Sequence, residues 1–221
     1  MVIAVIPAFN EGAHVGSVVK ATLPFVDRVL VVDDGSSDNT RAAALEAGAV
    51  VVQHPINRGL GASLGTGIKS ARVLGADYVI TLDADGQMES SEIPLFVEKM
   101  KEGFDVVLGS RMIEMKGNMP FTRKIAQRIG NLITYLMFGL MVTDSQGGFR
   151  GFAAKAADEL DLRTDRMEVS SEIISEIQRH KFNWTEVPIT AIYTEYSLGK
   201  SQSFTVGIKT AYKLLIYRLK S

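Results

Sequence analysis

Five apolar runs mark the first 110 residues, at 2–6, 28–33, 49–53, 77–82 and 104–109, with helical patterns between them near 11–22, 38–47, 59–74 and 90–101. Runs such as Val2-Ile-Ala-Val-Ile6 are continuous rather than alternating, so each strand is expected to be buried on both faces. Strands of that kind separated by helices fold into a mainly parallel central sheet flanked by helices, an α/β architecture. Ligands of such sheets bind beyond the carboxyl ends of the strands. Three polar motifs fall at those ends: Pro7-Ala-Phe-Asn-Glu11, Asp33-Asp-Gly-Ser36 and Asp83-Ala-Asp85. The 221 residues read as one domain, 1–110 forming one half and 111–221 the other.

Asp83 and Asp85 pose the sharpest chemical question. On a continuing strand, residues i and i+2 point to the same side, and two carboxylates there are costly without a positive charge between them. Hard divalent cations take carboxylate oxygens, and Mg²⁺ is typically held by one or two carboxylates plus substrate phosphates. Gln87 adds a further oxygen, so Mg²⁺ or Mn²⁺ on Asp83, Asp85 and Gln87, bridging to a diphosphate, is the expected occupant. A turn with a helix cap is the plainer alternative. In the second motif Asp-Gly makes a turn and Ser37 or Asp38 caps the next helix. Asp33 and Asp34 then remain to accept hydrogen bonds from a ribose hydroxyl or a base N–H. Asn10 reads as a cap of the first helix, with Phe9 and Glu11 bordering a nucleoside.

Charge is unevenly divided. Residues 1–110 hold 8 Lys/Arg against 14 Asp/Glu, and residues 111–221 hold 16 against 11. An acidic front half suits a bound cation and a basic back half suits anions. The absence of cysteine excludes disulfides, thiolate metal sites and cysteine nucleophiles, and fits a reducing compartment.

Taken together, IPAFNE, VVDDGSSDNT, NRGLGASLGTG, TLDADGQ, GSR and TDSQGGFRGF occur in an order and spacing that resembles family 2 glycosyltransferases of the GT-A (Rossmann-like) fold. The likeness runs from Ile3 to about Ser203 and is closest to the branch that makes dolichyl- or polyprenyl-phosphate sugars. It implies inverting, metal-dependent transfer of a hexose from GDP-mannose or a UDP-hexose to a dolichyl or polyprenyl phosphate. By that resemblance Pro7, Phe9, Glu11, Val32 and Asp34 hold the nucleoside, and Asp83 and Ala84 border the nucleotide sugar. Asp83, Asp85 and Gln87 hold the metal. Arg111 and Arg123 meet the acceptor phosphate and, with Asp85, make the catalytic set. Arg150 and Lys200 are further phosphate contacts, and Glu172 is placed near the site. The chain departs from the pattern in three places: Gln127 stands where those synthases carry a serine, Gly147 replaces the serine of their SGFR motif, and no arginine stands near Thr194.

Two apolar stretches of the back half bear on location. Ile129–Val142 is 14 residues of mostly apolar character, shorter than the ~20 that span a bilayer, and reads either as a buried core helix or as an interfacial one. In 203–220, Phe204, Ile208, Ala211, Leu215 and Leu219 recur at helical spacing opposite Lys209, Lys213 and Lys220. A basic amphipathic helix of that kind lies on an anionic membrane surface or packs on its own domain. No signal peptide is expected from the N-terminus. The reading is a protein at the cytoplasmic face of a membrane, held peripherally or through an anchoring protein partner, with no nucleic-acid partner. A nucleotidylyltransferase would need a glycine-rich basic loop after strand one, and a dinucleotide oxidoreductase a G-x-G-x-x-G there; neither is present. A processive polysaccharide synthase would carry Q-x-x-R-W, whereas the one tryptophan, Trp184, lies in FNWTEV.

Overall fold

The computed structural model describes residues 1–113, 131–132, 135–136, 139–190 and 192. Among them seven strands form one sheet, ordered β3-β2-β1-β4-β6-β5-β7. The strands are β1 (Val2–Ala8), β2 (Arg28–Asp33), β3 (Val50–Gln53), β4 (Tyr78–Thr81), β5 (Val106–Ser110), β6 (Arg150–Ala153) and β7 (Trp184–Pro188). The helices are α1 (Val15–Thr22), α2 (Thr40–Glu46), α3 (Leu60–Val73), α4 (Ile93–Lys101), α5 (Ala154–Glu159) and α6 (Val169–His180). The expected mainly parallel sheet covered by helices is what the chain forms.

Strand periodicity divides the core into two layers. Ala4, Ile6, Val29, Val31, Ile80 and Val107 face Val18 and Val19 of α1, Ala44 of α2 and Phe96 of α4. Ile3, Val5, Leu30, Val79, Val106 and Leu108 face Leu64 and Ile68 of α3, Ala156 of α5 and Ile173 of α6. In α1 the buried residues Val15, Val18, Val19 and Thr22 recur three and four apart, one face of a helix. Helix α3 lies unusually close to the sheet: a Cβ on Gly67 would stand 2.2 Å from Val5 Cγ1 and 3.1 Å from Val32 Cγ2.

β6 alone runs antiparallel, pairing β4 through Thr81↔Arg150 and β5 through Leu108↔Arg150. Its direction has a chemical result. The parallel strands bring their carboxyl ends to one rim, and β6 brings its first residue, Arg150, to the same rim.

Several local expectations are corrected. β4 stops at Thr81, and Asp83 to Asp85 lie on the turn that follows, with Gly86 at φ 72°; the two carboxylates are not strand neighbours. Asn10 does not cap α1, which starts at Val15. Asn10 adopts a left-handed φ of 54°, and its Oδ1 accepts from the Ser37 N–H at 2.9 Å. The N-cap of α2 is Asn39, not Ser37 or Asp38, and it makes no side-chain cap bond; Asp38, one residue earlier, accepts from the Thr40 N–H at 2.9 Å and from the Gly12 N–H at 3.0 Å. The turns after β1 and β2 are thereby tied together. In the 129–142 run the described residues Leu132 (55% exposed), Leu136 (66%) and Met141 (68%) face outward, while Val142 is buried; at those positions it is not a core helix. The basic stretch 203–220, Arg123, Gln127, Thr194 and Lys200 lie outside the described residues.

Candidate active site

Asp33 ends β2 and Asp34 follows directly after it, and the two carboxylates have different partners. Asp34 turns toward α3 and is almost wholly buried. Its Oδ1 accepts from the Arg58 N–H at 3.0 Å and meets His54 Nδ1 at 2.7 Å, and its Oδ2 accepts from the Gly59 N–H at 2.7 Å. Burial pushes its pKa up, but the Arg58 N–H, the His54 ring and the Gly59 N–H outweigh that and hold it below the ordinary value. Thr66 Oγ1, 3.0 Å from His54 Nε2, fixes the other side of the ring. Asp34 thus organises the 54–59 loop as well as facing a hollow of about 200 Å³ lined by Pro7, Ala8, Phe9, Asn57, Leu60 and Ser63. Phe9 is 45% exposed there. Val32 is fully buried with its side chain against Gly67, so a role for it beside a nucleoside rests on its main chain. Asp33 accepts from the Ser36 N–H at 3.0 Å and shapes the Asp-Gly turn.

The second cluster gathers around Asp83. Its carboxylate lies over the main chain at Gly148, where an added Cβ would stand 2.5 and 2.7 Å from the two oxygens. Burial and the charge of Asp85 raise its pKa to about 6, against the lowering pull of Arg150 and Arg111; Glu11 adds to the rise. Arg150 is 2% exposed, and its Nη2 is a buried donor with no hydrogen-bond partner among the described residues. Burial lowers its pKa to about 10, opposed by Asp83 and Asp144. Asp85 accepts from the Gln87 N–H at 3.0 Å and from Gln87 Nε2 at 2.6 Å. The Gln87 carbonyl accepts from the Ile192 N–H at 3.0 Å, which ties this turn to the segment after β7.

Arg111, just beyond β5, reaches a residue that the sequence did not single out. Its Nε donates to Asp144 Oδ2 at 2.6 Å and its Nη2 to Asp144 Oδ1 at 2.8 Å. The Asp144 side chain is 0% exposed and that of Arg111 26%. Asp144 lies in TDSQGGFRGF, and the signal would have been a lone acid between basic residues. Glu172 bonds to the loop that packs on the start of α3, next to the hollow. It accepts from the Arg163 N–H at 2.9 Å, the Thr164 N–H at 3.0 Å and the Thr164 hydroxyl at 2.6 Å. The loop it holds covers the start of α3, where the Asp165 carbonyl accepts from the Gly61 N–H at 2.9 Å. A Cβ on Gly61 would stand 1.8 Å from the Thr164 carbonyl oxygen. The glycines of NRGLG therefore admit a loop of this chain, and Gly67 supplies the close contact with the sheet.

The structure thus brings Glu11, Asp83, Asp85, Arg111 and Arg150 to one place and sets Pro7, Phe9 and Asp34 around a neighbouring hollow. Among the described residues no group of three or more His, Cys, Asp or Glu is arranged to hold a metal ion.

Comparison with known proteins follows the same line. The family model described as Glycosyl transferase family 2 matches residues 3–161. The protein MJ1222 of Methanocaldococcus jannaschii is 42% identical, over 99% of this chain and 92% of its own. The UDP-N-acetylglucosamine–dolichyl-phosphate N-acetylglucosaminyltransferase of Methanococcus voltae is 34% identical, over 99% of this chain and 96% of its own. Among solved structures, glucosyl-3-phosphoglycerate synthase from Mycobacterium tuberculosis, in complex with Mn²⁺, UDP and glucosyl-3-phosphoglycerate, superposes with a TM-score of 0.72. It is 20% identical and covers 99% of this chain and 79% of its own; the likeness is one of fold.

Proposed function

The chain belongs to the family 2 glycosyltransferases, and from that premise we propose that it transfers a sugar from a nucleotide diphosphate sugar to a polyprenyl or dolichyl phosphate, with inversion at the anomeric carbon. The observation that carries this reading is the pairing of two carboxylates, Asp83 and Asp85, with the buried Arg150 and the half-buried Arg111 on one rim. The relative from Methanococcus voltae, which bears a dolichyl-phosphate acceptor in its name, supports the acceptor class.

Pro7, Phe9 and Asp34 take the nucleoside in the hollow between β1 and α3. Asp83 and Asp85 fit a divalent cation: both offer hard oxygens, and the Asp83 charge lacks full compensation in the protein alone. Gln87 steadies Asp85 through its amide. When bound, Mg²⁺ or Mn²⁺ would stabilise charge on the departing nucleoside diphosphate. A phosphate monoester is already anionic near neutral pH, with a second pKa of about 6, so attack needs no general base. An acceptor oxygen forms the bond to the anomeric carbon, the bond from that carbon to the diphosphate oxygen breaks, and its electron pair leaves with the nucleoside diphosphate. Arginine at Arg111 and Arg150, with Arg123 and Lys200 from the rest of the back half, supplies the cationic setting that positions the acceptor. No described helix is long and apolar enough to cross a membrane, and the outward Leu132, Leu136 and Met141 support contact with a lipid surface.

The test is product formation from radiolabelled UDP-GlcNAc, UDP-glucose and GDP-mannose, each with Mg²⁺ or Mn²⁺ and a short polyprenyl phosphate. Label entering the lipid phase with one donor is expected. Label found only on added saccharides would remove the lipid-phosphate acceptor and leave a glycosyltransferase using a hydroxyl acceptor. Absence of transfer together with absence of nucleotide binding would mark a degenerate binding domain.

A further inference from the structure

We infer that Asp144 is a positioning residue, which aims the Arg111 guanidinium at the acceptor phosphate; the inference rests on the reading of Arg111 given above. Four observations converge on Asp144. It is buried at 0% side-chain exposure yet holds a guanidinium that is 26% exposed, so the pair joins the interior to the open rim. Two parallel bonds of 2.6 and 2.8 Å fix the plane of that guanidinium as well as its place. A third contact, from the Arg111 N–H to Asp144 Oδ2 at 3.3 Å, ties the main chain to the same carboxylate.

The fourth observation is what holds Asp144 itself. Glu186 of β7 accepts from the Thr143 N–H at 2.8 Å and from its hydroxyl at 2.9 Å, and Thr143 Oγ1 lies 2.6 Å from Ser110 Oγ of β5. Two neighbouring strands thus clamp the residue before Asp144. The Asp144 side chain itself is wholly buried. The chain of contacts runs from β7 and β5 through Thr143 to Asp144 and ends at the Arg111 guanidinium. A surface ion pair would need none of this support.

The experiment compares Asp144→Asn, Arg111→Lys, Arg111→Ala and the double variant Arg111→Ala/Asp144→Asn with the intact protein. Wild-type transfer to a short polyprenyl phosphate is measured first, and its failure would count against the acceptor reading alone. Asp144→Asn is expected to raise the acceptor KM by about tenfold or more while the Kd for UDP with Mn²⁺ stays within about twofold. Arg111→Lys, which keeps the charge but not the fork, should show the same split, and the double variant should be no worse than Arg111→Ala. Independently of turnover, the Arg111 Nε–H resonance should exchange slowly in the intact protein and rapidly in Asp144→Asn. Equal losses for donor and acceptor, multiplying losses in the double variant, or an Nε–H that exchanges equally fast in both proteins would each overturn the assignment. Should Asp144→Asn fail to fold, the Arg111→Lys split and the wild-type exchange rate decide the matter.

Discussion

Burial and the Asp85 charge hold the Asp83 carboxyl at a pKa of about 6, above the 3.8 of an ordinary aspartate. The folded protein therefore binds a proton more tightly than the unfolded chain does. In the metal-free protein this contribution favours folding at low pH and is lost as pH rises through about 6. Asp83→Asn, which removes the charge, should melt at a higher temperature than wild type near neutral pH, with the gap closing as pH falls below the unfolded value; melting curves across that range check it. Equal midpoints at neutral pH would contradict a strained carboxylate. Proton and cation compete for the same oxygens, so UDP with Mg²⁺ should protect wild type less as pH falls below 6, and should not protect Asp83→Asn at any pH. Gly148 offers a complementary probe. A methyl there would stand 2.5 Å from Asp83 Oδ1, so Gly148→Ala should cut metal-dependent UDP affinity at least as much as it cuts stability. Calorimetric titration with UDP and Mn²⁺ gives the first quantity and thermal melting the second.

Helix α6 carries a buried charge that holds a loop in place. Glu172 satisfies two main-chain N–H groups and one hydroxyl of the loop that rests on α3. Removing a carboxylate that pairs buried donors costs roughly 1–3 kcal/mol for each group left unsatisfied. Glu172→Ala should therefore lower stability by roughly 2 kcal/mol or more, while UDP affinity in the protein that remains folded is unchanged; a selective loss of UDP binding would return Glu172 to the site. The front half was readable in the sequence because its strands are continuous apolar runs bounded by turn residues, and β1 to β5 lie within a few residues of where those runs stand. β6 was not. Arg150-Gly-Phe-Ala has no apolar run and opens with a charge, and only its neighbours β4 and β5 make it a strand. β7, Trp184-Thr-Glu-Val-Pro188, is short and mixed for the same reason. Asp83, Asp85 and the Asp34 turn carried local signals, whereas the Arg111–Asp144 pair joins residues far apart in the chain and exists only once the sheet has formed. Gly148 and His54 likewise owe their meaning to what folds against them.

Apolar side chains lie outward on the stretch that leaves β5 and returns before β6: Ile113 (43% exposed), Leu132, Leu136 and Met141. If the acceptor is the lipid-borne phosphate proposed above, such a face beside the cationic rim would rest on the lipid surface. Leu136→Ser and Met141→Ser together should reduce cosedimentation with anionic vesicles and raise the acceptor KM, with UDP affinity untouched; undiminished cosedimentation would place the lipid contact elsewhere. The sheet order also governs how this protein comes into being. A ribosome delivers β1 to β4 as a self-sufficient parallel set, since each pairs with a strand already made, but β5 emerges without a neighbour. Its partner β6 comes some forty residues later in the sequence, and until then the β4 edge, with its unpaired N–H and C=O groups, stays exposed. At about 5–20 residues per second that interval lasts seconds. During it the nascent chain holds half of its sheet and both aspartates but none of the buried arginine that faces them. Stalled or truncated products ending before residue 150 would then be the ones that aggregate or recruit chaperones, and the buried arginine reaches the aspartates as that edge closes.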